Sequence, residues 1–215
     1  MMNNSRRIAE LLLQSKAIKL EPATPFTWAS GWKSPIYCDN RKTLSYPGIR
    51  SEIRDAFTEL IRQKYPDAGC IAGVATGAIA QGALVAEALN LPFVYVRSSA
   101  KKHGLENLIE GVVPRGAKTV VIEDLVSTGG SSLRAATAIR KAGCTILGMV
   151  AIFSYGFSET HARFEQENVP LDTLSNYHAL LETALEQQQI KEEDLNILQQ
   201  WRKDPANWKG VTHEN

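Results

Sequence analysis

The chain is predicted to form an α/β fold, a mostly parallel sheet flanked by helices. Two observations carry this. After Pro66, short apolar runs at 70–74, 93–96, 119–122 and 145–153 alternate with alanine-rich, helix-length segments at 78–89 and 132–142. Buried strands separated by helices of that length are joined by right-handed crossovers, which leave neighbouring strands parallel. The composition supports a packed core: 44% of the 215 residues are hydrophobic and 22% charged, as in ordinary globular domains.

Taken in order, Asn4 and Ser5 can cap a short amphipathic helix carrying Ile8, Leu11, Leu12 and Leu13. Residues 26–41 place aromatic and β-branched side chains on both sides of Ser30-Gly31, the pattern of a hairpin. Ile49, Ile53, Phe57, Leu60 and Ile61 then recur at helical spacing. The α/β core is expected over 66–173, interrupted by a polar stretch at 98–116 with three glycines and three Lys/Arg. A loop of that length inside a compact domain is a lid, a binding loop or disorder. Two polar-faced helices, at 175–188 and 191–202, close the chain. One domain, 1–215, is expected, in three parts: 1–65, 66–173 and 174–215.

Charge and cysteine content narrow the function. Lys+Arg 24 against Asp+Glu 23 leaves +1, so no global basic field draws duplex DNA or an anionic membrane, and neither is expected as a partner. Cys38, Cys70 and Cys144 are odd in number and far apart, which fits neither a disulfide framework nor a zinc site. No apolar run approaches the ~18 residues of a membrane span, and the N-terminus lacks a signal-cleavage pattern. A soluble, cytoplasmic protein is expected. An anionic ligand must then be held locally.

The strongest motif lies at 119–131. An apolar strand ends in Glu123 and Asp124, followed by Ser127, Thr128, Gly129, Gly130 and Ser131 and then a helix. Ligands of open parallel sheets bind beyond the carboxyl ends of strands. A glycine loop opening a helix directs backbone N–H groups and the positive dipole end at an anion. No lysine follows the glycines, and G-x-G-x-x-G is absent, so neither a Walker A loop nor a dinucleotide fingerprint is present. What remains is a monophosphate nest with two carboxylates upstream. Carboxylates repel phosphate and suit hydroxyls, a cation or a developing positive charge; a sugar phosphate supplies all three. A strand-to-helix turn with acids exposed by chance is the plain alternative, and the order acid pair, hydroxyls, glycines, helix speaks against it.

Residues 120–131 resemble the 5-phosphoribosyl 1-diphosphate (PRPP) motif of the type I phosphoribosyltransferases. Residues 26–41, especially Ser30-Gly-Trp-Lys-Ser-Pro-Ile-Tyr37, resemble the N-terminal hairpin of the orotate branch of that family. Val96-Arg-Ser-Ser-Ala-Lys-Lys-His-Gly104, with Asn107 and Gly111, resembles that branch's flexible catalytic loop. The resemblance spans roughly residues 5 to 155. It implies a type I sheet with a small N-terminal hood, formed by the helix, hairpin and helix of 1–65, and a flexible loop. The implied reaction is transfer of the phosphoribosyl group from PRPP to orotate, giving orotidine 5′-monophosphate for UMP synthesis.

The same resemblance implies roles. Glu123 and Asp124 would bind the ribose hydroxyls and stabilise an oxocarbenium-like transition state. Leu125 and Val126 fall in the same PRPP segment. Ser127, Thr128, Gly129, Gly130 and Ser131 would hold the 5-phosphate, with Ser127 also near orotate. Arg97, Lys101 and His103 would contact the diphosphate, partly across a homodimer. Lys101 and His103 join the acid pair as the catalytic set, and Lys33 and Tyr37 would line the orotate site. Magnesium would arrive with the diphosphate, near Asp124, with no direct protein ligand assigned. Some members carry lysines where Ala29 and Ser98 stand here, a tyrosine–lysine pair where Val74-Ala-Thr-Gly77 stands, and an arginine near Phe153-Ser-Tyr-Gly156.

Other residues read more plainly. Trp28 and Trp32 are expected to pack under the hairpin, and Met149 in the core. His161, His178 and His213 lack metal spacing, and Trp201 and Trp208 stay open between core anchor and interface. The competing readings are a purine phosphoribosyltransferase and a PRPP-sensing regulator of the same fold.

Overall fold

Helix α1 (Met2–Gln14) buries Ile8, Leu11 and Leu12, the apolar stripe its spacing dictates. The structure is a computed structural model and describes residues 2–28, 30–98 and 108–210. Four short strands follow: β1 (Ile18–Leu20), β2 (Phe26–Thr27), β3 (Lys33–Ser34) and β4 (Ile36–Cys38). β2 and β3 form the expected hairpin, while β4 leaves it to pair with β1, Cys38 opposite Ile18. A 3₁₀ turn, Asn40–Ser45, leads into α2 (Pro47–Lys64), which starts on a proline preset for helical φ.

The core runs β5 (Cys70–Val74), α3 (Ile79–Leu89), β6 (Phe93–Val96), β7 (Ile109–Glu110), β8 (Lys118–Val126), α4 (Gly130–Lys141), β9 (Thr145–Ser154), α5 (Ser158–Gln166) and β10 (Leu171–Asn176). α6 (Tyr177–Glu186), capped by the Asn176 side chain, and α7 (Glu192–Lys203) complete it. The six-stranded sheet has the order β10-β9-β8-β5-β6-β7, parallel except for β7.

Both faces of the sheet are covered, which is why its central strands read as continuous apolar runs. Ile71, Val120, Ile122, Val150 and Ile152 pack with α1, α2, α3 and α6. Their alternate neighbours, Ala72, Val121, Met149 and Ala151, pack with α4 and with Phe164 of α5. Trp201 is fully buried as a core anchor, its ring centroid 5.7 Å from that of Trp28 and 5.5 Å from that of Tyr155. The hood, the end of β9 and α7 are thus joined through aromatic rings. Cys70 and Cys144 are buried as small hydrophobes. No helix among the described residues is long and apolar enough to cross a membrane.

Four expectations need correction. Helix α1 starts at Met2, so Asn4 and Ser5 lie inside its first turn rather than capping it. The strand expected at 119–122 continues to Val126, because β9 keeps pairing with it through Val126 and Ser154. The segment 98–116 is not loop throughout: β7 pairs back onto β6, with Ile109 opposite Val96. The helix expected from 175 starts at Tyr177, because Leu171–Asn176 forms the edge strand beside β9.

Candidate active site

The chain leaves β5 for β6 on one side and, after β8, moves to β9 and β10 on the other. Strand order reverses between β5 and β8, so a crevice opens beyond their carboxyl ends. β8 pairs with β5 as far as Ile122 and Gly73, while its pairing with β9 continues to Val126. The tip of β8, carrying the acid pair, therefore has a strand neighbour on one edge alone.

Glu123 turns into the protein and is 4% exposed. Its carboxylate accepts from the Ser132 hydroxyl at 2.8 Å and from the Asp124 N–H at 3.0 Å. Burial, with the neighbouring Asp124 charge second, pushes its pKa well above the ordinary carboxyl range. Asp124 is half-buried on the opposite face of the strand. Its carboxylate lies against Gly77, where a Cβ would overlap it. The loop after β5 must therefore present a glycine to let the acid lie there, and its Ala75–Thr76 peptide is cis.

The loop from Ser127 to Ser131 is held from below by α5. Thr160 Oγ1 donates to the Ser127 carbonyl at 2.7 Å, and Arg163 Nη1 donates to the Thr128 carbonyl at 3.3 Å. Gly129 sits at φ 79° as the residue capping α4, and a Cβ there would come 2.7 Å from the Phe164 ring. With carbonyls committed to α5, the N–H groups of the first turn of α4, which lack intrahelical acceptors, remain for an anion. Val126 is fully buried and Leu125 half-buried, so their side chains belong to packing.

Arg97 stands at the end of β6. Its N–H donates to the Leu108 carbonyl at 2.8 Å, and its guanidinium pairs with Glu110 at 3.3 Å, tying the end of β6 to β7. A cavity of about 50 Å³ joins Arg97 and Ser98 to Ala75, Ser131 and Arg134. Lys101 and His103 lie outside the described residues. On the hood, Lys33 Nζ donates to Thr27 Oγ1 at 2.8 Å, and the Tyr37 ring is 39% exposed and 5.6 Å from Phe26. The structure thus brings Asp124, the glycine loop and Arg97 to the carboxyl ends of the strands, with Glu123 buried under the first turn of α4 on the opposite strand face and Lys33 and Tyr37 on the hood.

Sequence reasoning missed Gly77, Thr160, Arg163 and Asn40, whose amide donates to the Asp124 carbonyl at 2.6 Å. Asn40 falls within the 26–41 segment and Gly77 within 74–77, but nothing in either stretch marks that residue, and all four act through contacts between distant segments. A roomier cavity, about 590 Å³ between α6 and α7, is lined by Tyr177, Leu181 and Arg202 and shares no residue with the acid pair or its loop. Concavity alone would have placed the site there.

Arranged this way, the crevice can hold a phosphorylated sugar: phosphate on the α4 N-terminus and hydroxyls toward half-buried Asp124, with Glu123 behind it in the strand. The phosphoribosyl transferase domain family matches residues 43–188. An orotate phosphoribosyltransferase of Bacteroides fragilis is 61% identical, over 97% of this chain and 99% of its own. One from Porphyromonas gingivalis is 59% identical, over 94% and 96%. The crystal structure of an Aeropyrum pernix orotate phosphoribosyltransferase superposes with a TM-score of 0.73 at 27% identity, over 81% of this chain and 96% of that one.

Proposed function

Because the chain belongs to the orotate phosphoribosyltransferases, within the phosphoribosyl transferase domain family, we propose that the crevice beyond β5 and β8 is where that reaction takes place. The enzyme transfers the phosphoribosyl group from PRPP to orotate, giving orotidine 5′-monophosphate and diphosphate in pyrimidine biosynthesis. One observation carries the siting: two carboxylates at the tip of β8 directly precede a glycine loop whose carbonyls are pinned to α5.

In the proposed mechanism, the 5-phosphate docks on the loop and first turn of α4, and the ribose hydroxyls meet Glu123 and Asp124. The C1–O bond breaks with its electron pair leaving on the diphosphate; the C1–N1 bond to orotate forms and the N1 proton departs. Positive charge gathers on the sugar as the bond breaks, and the acid pair answers it in a site where water is partly excluded. Arg97, with Lys101 and His103, answers the charge growing on the diphosphate. Lys33 and Tyr37 would border the orotate from the hood. We extend the proposal to a homodimer, in which the loop bearing Lys101 reaches the partner's site, and to a cytoplasmic location.

Magnesium belongs to this scheme as part of the substrate, carried on the diphosphate. Half-buried Asp124, facing the crevice, can meet a cation the substrate brings.

Loss of orotate absorbance on mixing with PRPP and magnesium tests the reading. Orotate consumed should equal diphosphate formed. Inertness toward orotate with turnover of adenine or hypoxanthine would move the chain to a purine reaction. PRPP binding without turnover of any base would make it a sensor.

A further inference from the structure

We infer that Asn40 is a positioning residue that ties the hood to the acid pair, an inference that rests on the proposed role of Asp124. β5 stops pairing with β8 at Ile122, so the main chain of Asp124 has no strand beside it on that edge. The place of the missing strand is taken by a side chain. Asn40 Nδ2 donates to the Asp124 carbonyl at 2.6 Å, across 84 positions of sequence.

Asn40 is 2% exposed, so both halves of its amide need partners. Its Oδ1 accepts from the Cys38 thiol at 3.2 Å. A thiol donates to it and a carbonyl accepts from it, so one orientation of the amide satisfies both neighbours. The backbone around it is also fixed. Thr43 Oγ1 donates to the Asn40 carbonyl at 2.6 Å, and the Asp39 N–H donates to the Ala17 carbonyl at 2.7 Å. Cys38 itself is the last residue of β4, paired with Ile18.

Tyr37, on the proposed orotate side, adjoins Cys38 on that strand. A continuous path therefore runs from the base-facing hood through β4 and Asn40 to the backbone of Asp124. Its consequence is that the ribose-facing carboxylate keeps its place because the hood is seated. The turnover step, which needs that carboxylate aligned, should feel the loss of Asn40 more than base binding does.

The wild type is first assayed with orotate and with adenine, which settles the base independently. Asn40→Ala is then compared on whichever base is used, with calorimetry of PRPP binding in the presence of magnesium and activity scaled to the folded fraction. We expect kcat to fall on the order of 10- to 10²-fold, as misplacement of a reacting group commonly costs, with little change in KM for the base. Asn40→Asp sets a carboxylate against the Asp124 carbonyl at neutral pH and regains a donor when protonated. Its activity relative to Asn40→Ala should therefore rise as pH falls. Should Asn40→Ala fail to fold, Cys38→Ala and Cys38→Ser take its place: the alanine leaves the buried Asn40 Oδ1 without its donor, loosening the amide, and lowers kcat, and the serine, still a donor, restores it. Wild-type kcat in Asn40→Ala, an Asn40→Asp to Asn40→Ala ratio that ignores pH, or equal kcat for the two Cys38 variants overturns the inference.

Discussion

Replacing Glu123 by glutamine should make the protein more stable and much less active. The carboxyl is 4% exposed, with acceptor bonds of 2.8 Å from Ser132 and 3.0 Å from the Asp124 N–H. Burial and the adjacent Asp124 raise its pKa in the folded chain. Between the ordinary value, about 4.3, and the raised one, the folded state holds more protons than the unfolded state. Stability from this group is full below the ordinary value and declines as pH climbs through the raised one. Glutamine abolishes that decline. Its oxygen can accept from the Asp124 N–H, and its amide can donate to Ser132, whose hydroxyl turns to accept. Relief of that cost should raise Tm, by ~2–4 °C for each kcal/mol in a chain of this size. Removal of one preorganised charge from the transition state should cost ~10²–10³ in kcat. Thermal unfolding at pH 5 and pH 8 checks the first part: the variant's advantage should be larger at pH 8. Destabilisation of equal size at both pH values, or kcat near wild type, would refute the reasoning.

Gly129→Val should weaken PRPP binding strongly while sparing orotate affinity in the free enzyme, since φ is 79° and the new Cβ would meet Phe164 at 2.7 Å. Calorimetry checks it, and unchanged PRPP affinity would show that the loop binds something else. If the loop of one subunit serves the other's site, mixing Lys101→Ala with Asp124→Asn should form heterodimers with one doubly damaged site and one intact site. Activity would recover to as much as about half of wild type per heterodimer, a consequence of two-fold symmetry. Subunit exchange is verified by mass, and complete exchange with parental activity would place the loop over its own chain.

What could be read from sequence follows burial. β5 and β6 have the boundaries their apolar runs imply. β5, covered on both faces, left no ambiguity. β10, Leu-Asp-Thr-Leu-Ser-Asn, is an edge strand with one partner and exposed positions, so its polar sequence gave no strand signal. α5 is nine residues of mostly polar composition, too short for a clear period, yet Thr160 and Arg163 hold the glycine loop. The acid pair and glycines were visible because their chemistry is local and ordered along the chain. Gly77 and Asn40 were not, because what defines them is a close approach to Asp124 from distant segments.

In the proposed mechanism the two carboxylates serve the charge that develops on the sugar, while the loop supplies ground-state binding. The double variant Glu123→Gln, Asp124→Asn separates the two, with PRPP affinity measured by calorimetry and kcat by orotate absorbance on the same folded protein. The prediction is that kcat falls by on the order of 10²-fold or more while PRPP affinity, held by the intact phosphate loop, falls far less. Turnover near wild type, or a loss confined to PRPP affinity with kcat preserved at saturation, would contradict it.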